Sequence, residues 1–354
     1  MGRYEQGARP PKARKKTRTP AQRRRRRRIL SVAGIAALSL CIWLGIYLTT
    51  PPAQSGPPAG GRPGGTASSG DSSPSDPGAS PAPAVPDEPA RGLKKNFYTV
   101  LLVGTMDDYN TDTIMLASID ADNDVVHVIS IPRDTMVDID AKNKKINGAY
   151  GRDGIEELCR EVQDITDIYP NFYCVVNVAS FVKIVDLFGG VEFNVPYDMY
   201  HPDADSKYTI NLKKGVQTLN GKKALQMVRY RGTAQSDFGR MELQRNFLIA
   251  IAKKVLNNFS LSQVTDLIPI VNESVQTNMP VKDMLWFYRN VVAEIDFDAN
   301  VHFHAMPVES TGKYRGLSYV YLDSQAVADL LNQTVNPYDK DILPGDLNII
   351  HLEN

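Results

Sequence analysis

From Ile29 to Leu48 the chain runs for 20 residues without a charge (ILSVAGIAALSLCIWLGIYL), directly after six consecutive arginines, Arg23 to Arg28. A helix of that length at about 1.5 Å per residue matches the roughly 30 Å hydrocarbon core of a bilayer. Trp43 and Tyr47 fall near its far end, where amphipathic rings favour the headgroup layer. Basic residues flanking a span stay on the cytoplasmic side. The expected topology is therefore a cell-membrane protein with one pass, its N-terminus in the cytoplasm and everything after the span outside. A cleaved signal peptide would need a small-x-small site after a shorter apolar region, and Thr49-Thr50-Pro51-Pro52 supplies none.

The charge count hides an asymmetry. Lys+Arg and Asp+Glu are both 40, yet residues 1–28 hold 13 bases against the single acid Glu5. A basic cytoplasmic tail (1–28) beside a span (29–48) fits contact with anionic lipid. The acidic remainder argues against a nucleic-acid partner, because it would repel a phosphate backbone. Residues 49–92 form the expected linker. Of the 42 residues from Pro51 to Gly92, 33 are Pro, Gly, Ser or Ala and none is aromatic, too little apolar surface to offset the entropy of ordering.

The texture changes at Phe97. Short β-branched runs at 97–104, 113–119, 125–131, 172–178 and 191–195 read as strands. Helical patterns cover 154–165, 179–187, 221–228, 239–257, 262–275 and 281–293. Strands near 301–306 and 318–322 precede a helix over 324–333 with Asp323 as its N-cap. This mixture predicts the α/β class: an α-β-α sandwich with a mixed central sheet over residues 93–340, followed by a tail, 341–354. HExxH, CxxC, P-loop and GxSxG patterns are absent, and three cysteines exclude a tetrathiolate zinc site. Cys159 and Cys174 form an even pair outside the span, where a disulfide is permitted and not required. His302 and His304 share one face of a strand, a pattern more often structural than metal-binding.

Arginines and aspartates carry the remaining signal. They cluster in an acidic loop (104–113), in Ser130-Ile131-Pro132-Arg133-Asp134-Thr135 at a strand end, in Arg229-Tyr230-Arg231, and in Asp237-Phe238-Gly239-Arg240 with Gln244 one turn on. Arginine binds phosphate oxygens in pairs, and carboxylates beside it hold a divalent cation. If Arg229 and Arg231 lie on an extended segment, their side chains point the same way. From pattern alone, ordinary surface ion pairs account for these segments slightly better.

Six strings together resemble the LytR-CpsA-Psr family of cell-wall glycopolymer ligases: TDTIML (111–116), SIPRDT (130–135), KINGAY (145–150), FVKIVDLFGGVEFNVP (181–196), LNGKKALQMVRYR (219–231) and DFGR (237–240). The resemblance runs from about Phe97 to Lys254, more weakly to Asn332. It implies transfer of a phosphoglycan from a polyprenyl-pyrophosphate carrier to a hydroxyl of peptidoglycan, or of another envelope acceptor, outside the membrane. It also implies that Arg133, Arg229, Arg231 and Arg240 hold the pyrophosphate, with Lys145, Asn147, Asp237 and Gln244 completing the polar wall. Asp112, with Asp107 or Asp108, would position Mg²⁺. Met106 stands where the family usually has a second acid, and Asn110 and Leu243 stand where it commonly has arginines. A non-catalytic envelope regulator, a label once given to members of the family, is the competing function.

Overall fold

The computed structural model describes residues 50–54, 91–105, 110–203, 209–230, 243, 246–254, 269, 275–293 and 295–352. The expected span at 29–48 lies outside these residues. Among the described residues no helix is long and apolar enough to cross a membrane. The segment Pro51–Asn354 forms one compact unit.

Its centre is a six-stranded mixed sheet. The strands β1 (Phe97–Thr105), β2 (Thr111–Asp120) and β3 (Val125–Ile131) form an antiparallel meander. Helix α1 (Ala149–Thr166) returns the chain to β4 (Phe172–Asn177), which lies parallel to β1. Helix α2 (Val178–Leu187) follows, then β5 (Val191–Val195), β6 (Met199–His201), β7 (Ile210–Leu212), β8 (Gly215–Leu219) and helix α3 (Gly221–Arg229). Strand β9 (Val275–Thr277) closes one edge of the sheet against β4, and helix α4 (Val281–Phe287) comes next. A short α5 (Phe297–Asn300) leads into β10 (Val301–Ala305), which closes the other edge in parallel with β3. A hairpin of β11 (Val308–Tyr314) and β12 (Leu317–Leu322) precedes α6 (Ser324–Thr334).

Alternation along β1 explains the layers. Leu101 and Val103 face one side and pack with Leu158 and Val162 of α1 and Val327 and Leu331 of α6. Tyr98 and Val100 face the other and pack with Trp286 and Phe287. Leu248, from the helical residues 246–254, covers Met115 and Val128 on that second side. A central strand buried on both faces must be apolar throughout, and β1 is. The sandwich is the one the sequence predicts.

Helix α1 begins five residues before its predicted start. Its first turn is broken at Asp153 and Gly154, the latter with φ 75°, a conformation that only glycine adopts cheaply. Regular helix starts after that break, where the periodicity begins. Helix α3 is pinned by close approach: a Cβ at Gly221 would sit 2.3 Å from the Val182 carbonyl oxygen of α2. The Gly221 N–H donates to Asp186 Oδ1 at 2.8 Å. Around these two helices a second apolar cluster gathers Val185, Val191, Leu212, Met227 and Phe247.

Some expectations need correction. Val275, placed at the end of a helix, begins β9, which pairs with β4. Residues 288–292 continue α4 as a π-helical turn. The segment taken for a tail is held down: Ile342 and Leu347 are buried in the main core, and Asn332 bonds both Ile342 N and O at 2.9 Å. Within the expected linker, Gln54 Nε2 donates to the Lys94 carbonyl at 2.8 Å, and Pro52 is buried. Cys159 and Cys174 are free thiols, pushed up to about 12 and about 11 by burial.

Candidate functional site

Strands β1, β3, β4 and β10 all run in one direction, since β3 and β1 flank the antiparallel β2. Their carboxyl ends therefore share one rim of the sheet, the rim where open α/β sheets bind ligands. Residue pairing fixes what meets there. Ile114 of β2 lies opposite Ile131 of β3, so two residues further out Asp112 stands opposite Arg133 on the same face. The two side chains meet: Arg133 Nη1 donates to Asp112 Oδ1 at 2.6 Å.

The loop beyond β3 is held by backbone bonds on three sides. Pro132 starts a turn closed by Thr135, whose N–H and hydroxyl both donate to the Pro132 carbonyl, at 3.0 and 2.7 Å. Ile146 N–H donates to Thr135 O at 2.9 Å and Asn147 N–H to Arg133 O at 3.2 Å, which lays KINGAY alongside SIPRDT. Ile146, fully buried, anchors this crossing. On the far side Met136 N–H and Val320 N–H lace the loop to β12. Lys145 pairs with Asp134 at 3.0 Å and lies over the Tyr319 ring. Tyr319 is a support with no sign in the neighbouring motifs, because it comes from β12, far along the chain.

Bonding on the rim is incomplete in a specific way. Among the described residues, Arg133 Nε and Asn147 Oδ1 are buried and find no hydrogen-bond partner. Leaving a buried polar atom unmet costs about 1–3 kcal/mol, so a donor and an acceptor in this state are open to water or a ligand. Arg133 spends one N–H on Asp112 and has others to offer. That arrangement suits an oxyanion such as phosphate.

Of the other predicted residues, Arg229 is the last residue of α3 and Tyr230 turns extended after it. Arg229 is thus helical, and the premise of an extended segment for it does not hold. The helix runs one residue longer than expected, to Arg229. Asp107, Asp108, Arg231, Asp237, Arg240 and Gln244 lie outside the described residues. Leu243 packs against that cluster, so the side chain at this position serves packing. Among the described residues no group of three His, Cys, Asp or Glu is arranged to hold a metal ion. The donor chemistry at Asp112 nevertheless suits Mg²⁺, which takes one or two carboxylates and completes its shell with substrate phosphates and water.

The profile of the LytR_cpsA_psr family matches residues 72–336. The chain belongs to the LytR-CpsA-Psr family. Among its relatives is the polyisoprenyl-teichoic acid–peptidoglycan teichoic acid transferase TagU of Bacillus subtilis strain 168, 29% identical over 256 residues, covering 70% of this chain and 80% of the relative. The regulatory protein MsrR of Staphylococcus aureus strain COL is 33% identical over 173 residues, 48% of this chain and 51% of its own. In fold, a Streptococcus agalactiae protein superposes with a TM-score of 0.62 at 21% identity, covering 72% of this chain and 92% of that one. The LytR-CpsA-Psr assignment covers the whole sandwich and the rim that carries Asp112 and Arg133.

Proposed function

We propose that this protein transfers a phosphoglycan from a polyprenyl-pyrophosphate carrier to a hydroxyl of peptidoglycan. The observation that carries the reading is Arg133: fixed on the sheet rim, bonded once to Asp112, and with its Nε unmet. TagU, similar over most of its length, is by its name a transferase for teichoic acid linked to a polyisoprenyl carrier. In this reading the acceptor oxygen attacks the phosphorus that bears the glycan. The bond to the bridging oxygen breaks, prenyl phosphate leaves, and the hydroxyl proton passes to a carboxylate, Asp237 in this assignment. Arg133, Arg229, Arg231 and Arg240 neutralise the pyrophosphate, and Lys145, Asn147 and Gln244 orient it. Positioning and charge neutralisation supply most of the catalysis in phosphoryl transfer.

Mg²⁺ would be held by Asp112 with Asp107 or Asp108, and when bound it would stabilise negative charge on the phosphate oxygens. The body works outside the cell membrane, anchored by residues 29–48, because both carrier and acceptor lie there. The test is transfer of labelled phosphoglycan from a polyprenyl-pyrophosphate donor to peptidoglycan by the full-length protein, with and without Mg²⁺. Label in the wall polymer, lost in Arg133→Ala, supports the reading. A folded protein that binds no prenyl pyrophosphate and transfers nothing returns the chain to a regulatory role such as the name of MsrR states for that relative.

A further inference from the structure

Three of the five histidines of the chain meet at the edge of the sheet opposite β9. His127 of β3 lies beside His302 of β10 in the parallel ladder. His304, two residues on, shares their face. His127 Nδ1 is 3.1 Å from His304 Nε2. The ring centroids of that pair are 5.3 Å apart. His302 stacks on His127 at 5.1 Å, with 29° between the ring planes, and fixes its orientation. His302 is exposed and the other two are half-buried, so an ion in solution has access to them.

Two facing imidazole nitrogens either share one proton or donate both lone pairs to a cation. Nitrogens bound to one tetrahedral zinc at about 2.0–2.1 Å stand about 3.3 Å apart, so the observed spacing is already close to that of a chelate. We propose that His127 Nδ1 and His304 Nε2 bind a divalent transition-metal ion of the zinc class, water completing its shell, and thereby clamp edge strand β10 to β3. Burial and the neighbouring imidazoles hold both rings below the ordinary histidine range, with Asp120 of β2 opposing this at His127. A metal binds imidazole in its neutral form, which this environment favours. Cys159 and Cys174 do not compete, because burial keeps them as thiols. Strand β10 has five residues and, among the described strands, pairs with β3 at the edge of the sheet, so a cross-link here ties down an edge strand.

The test is calorimetric titration of the tag-free full-length chain with Zn²⁺ alone, in a buffer that does not bind metal, followed by amide hydrogen exchange with and without zinc. Saturable binding of one ion is expected, weakened roughly tenfold or more in His127→Gln and in His304→Gln. Binding is expected to be unchanged in His201→Gln and His351→Gln. Exchange at residues 301–305 slows with zinc in the parent chain, a readout that needs no variant to fold. The proposal is overturned if no ion binds, if binding survives the double variant, or if exchange at 301–305 ignores saturating zinc. Loss of binding in His351→Gln also overturns it, since that assigns the ion to the exposed pair of His351 with Glu309.

Discussion

Two arginine–aspartate pairs sit at opposite ends of the same sheet, and they are equally sheltered. The Arg91 side chain is 23% exposed and the Arg133 side chain 27%. At the amino end of the parallel strands, Arg91 is engaged through both of its terminal nitrogens. It bonds Asp167, reaches Asp346 Oδ2 at 2.6 Å, and lies over the Tyr338 ring. Tyr338 in turn donates its hydroxyl to the Asp167 carbonyl at 2.9 Å. At the carboxyl end Arg133 has one carboxylate and an unmet Nε. Burial does not distinguish the two arginines. Their bonding does: Arg91 meets two carboxylates, whereas Arg133 meets Asp112 and keeps a buried Nε open among the described residues.

Replacing Arg133 tests that distinction directly. Arg133→Ala should cut phosphoglycan transfer on the order of 100- to 1,000-fold, the usual loss when one charge-stabilising donor is removed. Its melting temperature should stay near that of the parent, measured by calorimetry. If Arg133→Ala unfolds the protein instead, the two arginines are alike and the comparison fails.

Gly221→Ala should come next, at about 1–3 kcal/mol from overpacking, towards the upper end because the clash is with backbone of α2. Denaturant titration measures it. This variant sharpens the contrast by showing whether displacing α3, and Arg229 at its end, also lowers transfer. Arg91→Ala should cost about 1–2 kcal/mol of stability through two lost charged hydrogen bonds, with transfer per folded molecule unchanged. A loss of activity larger than the loss of folded protein would place Arg91 in the working machinery and break the comparison.

The smallest effect is one of pH. His127 and His304 are held below their ordinary value, so the unfolded chain takes up protons first as pH falls below about 6.5. The stability present above that value is lost as pH drops through the lowered folded-state values. The melting temperature should fall on mild acidification, and fall less in the His127→Gln/His304→Gln double variant. An identical decline in that variant would assign the acid sensitivity elsewhere.

Much of the fold was legible because its signals are local. Strands β1 to β5, helix α2 and the Asp323 cap follow from alternation, periodicity and punctuation. The hairpin β11–β12 was half missed. Its first strand is polar and mostly exposed, and its turn uses Arg315 and Gly316, both with positive φ, instead of the Asn-Gly or Asp-Gly pair that announces such turns. At the site, the identity of Arg133, Asp112 and Asn147 could be read from motif and resemblance. Their bonding could not. That Arg133 meets Asp112 depends on the β2–β3 register, and that its Nε is unmet depends on everything packed around it.

By itself the sequence determined the α/β class, the family and the residue types on the rim, because hydrophobic periodicity and short motifs are properties of neighbours along a chain. Only the tertiary structure decided that Val275 joins the sheet, that Ile342 and Leu347 are buried in the main core, and that His127 faces His304 across 177 residues of sequence. Those outcomes depend on which strands pair and in what register. Pairing is settled by burial summed over the whole core, and no window of local sequence contains that sum.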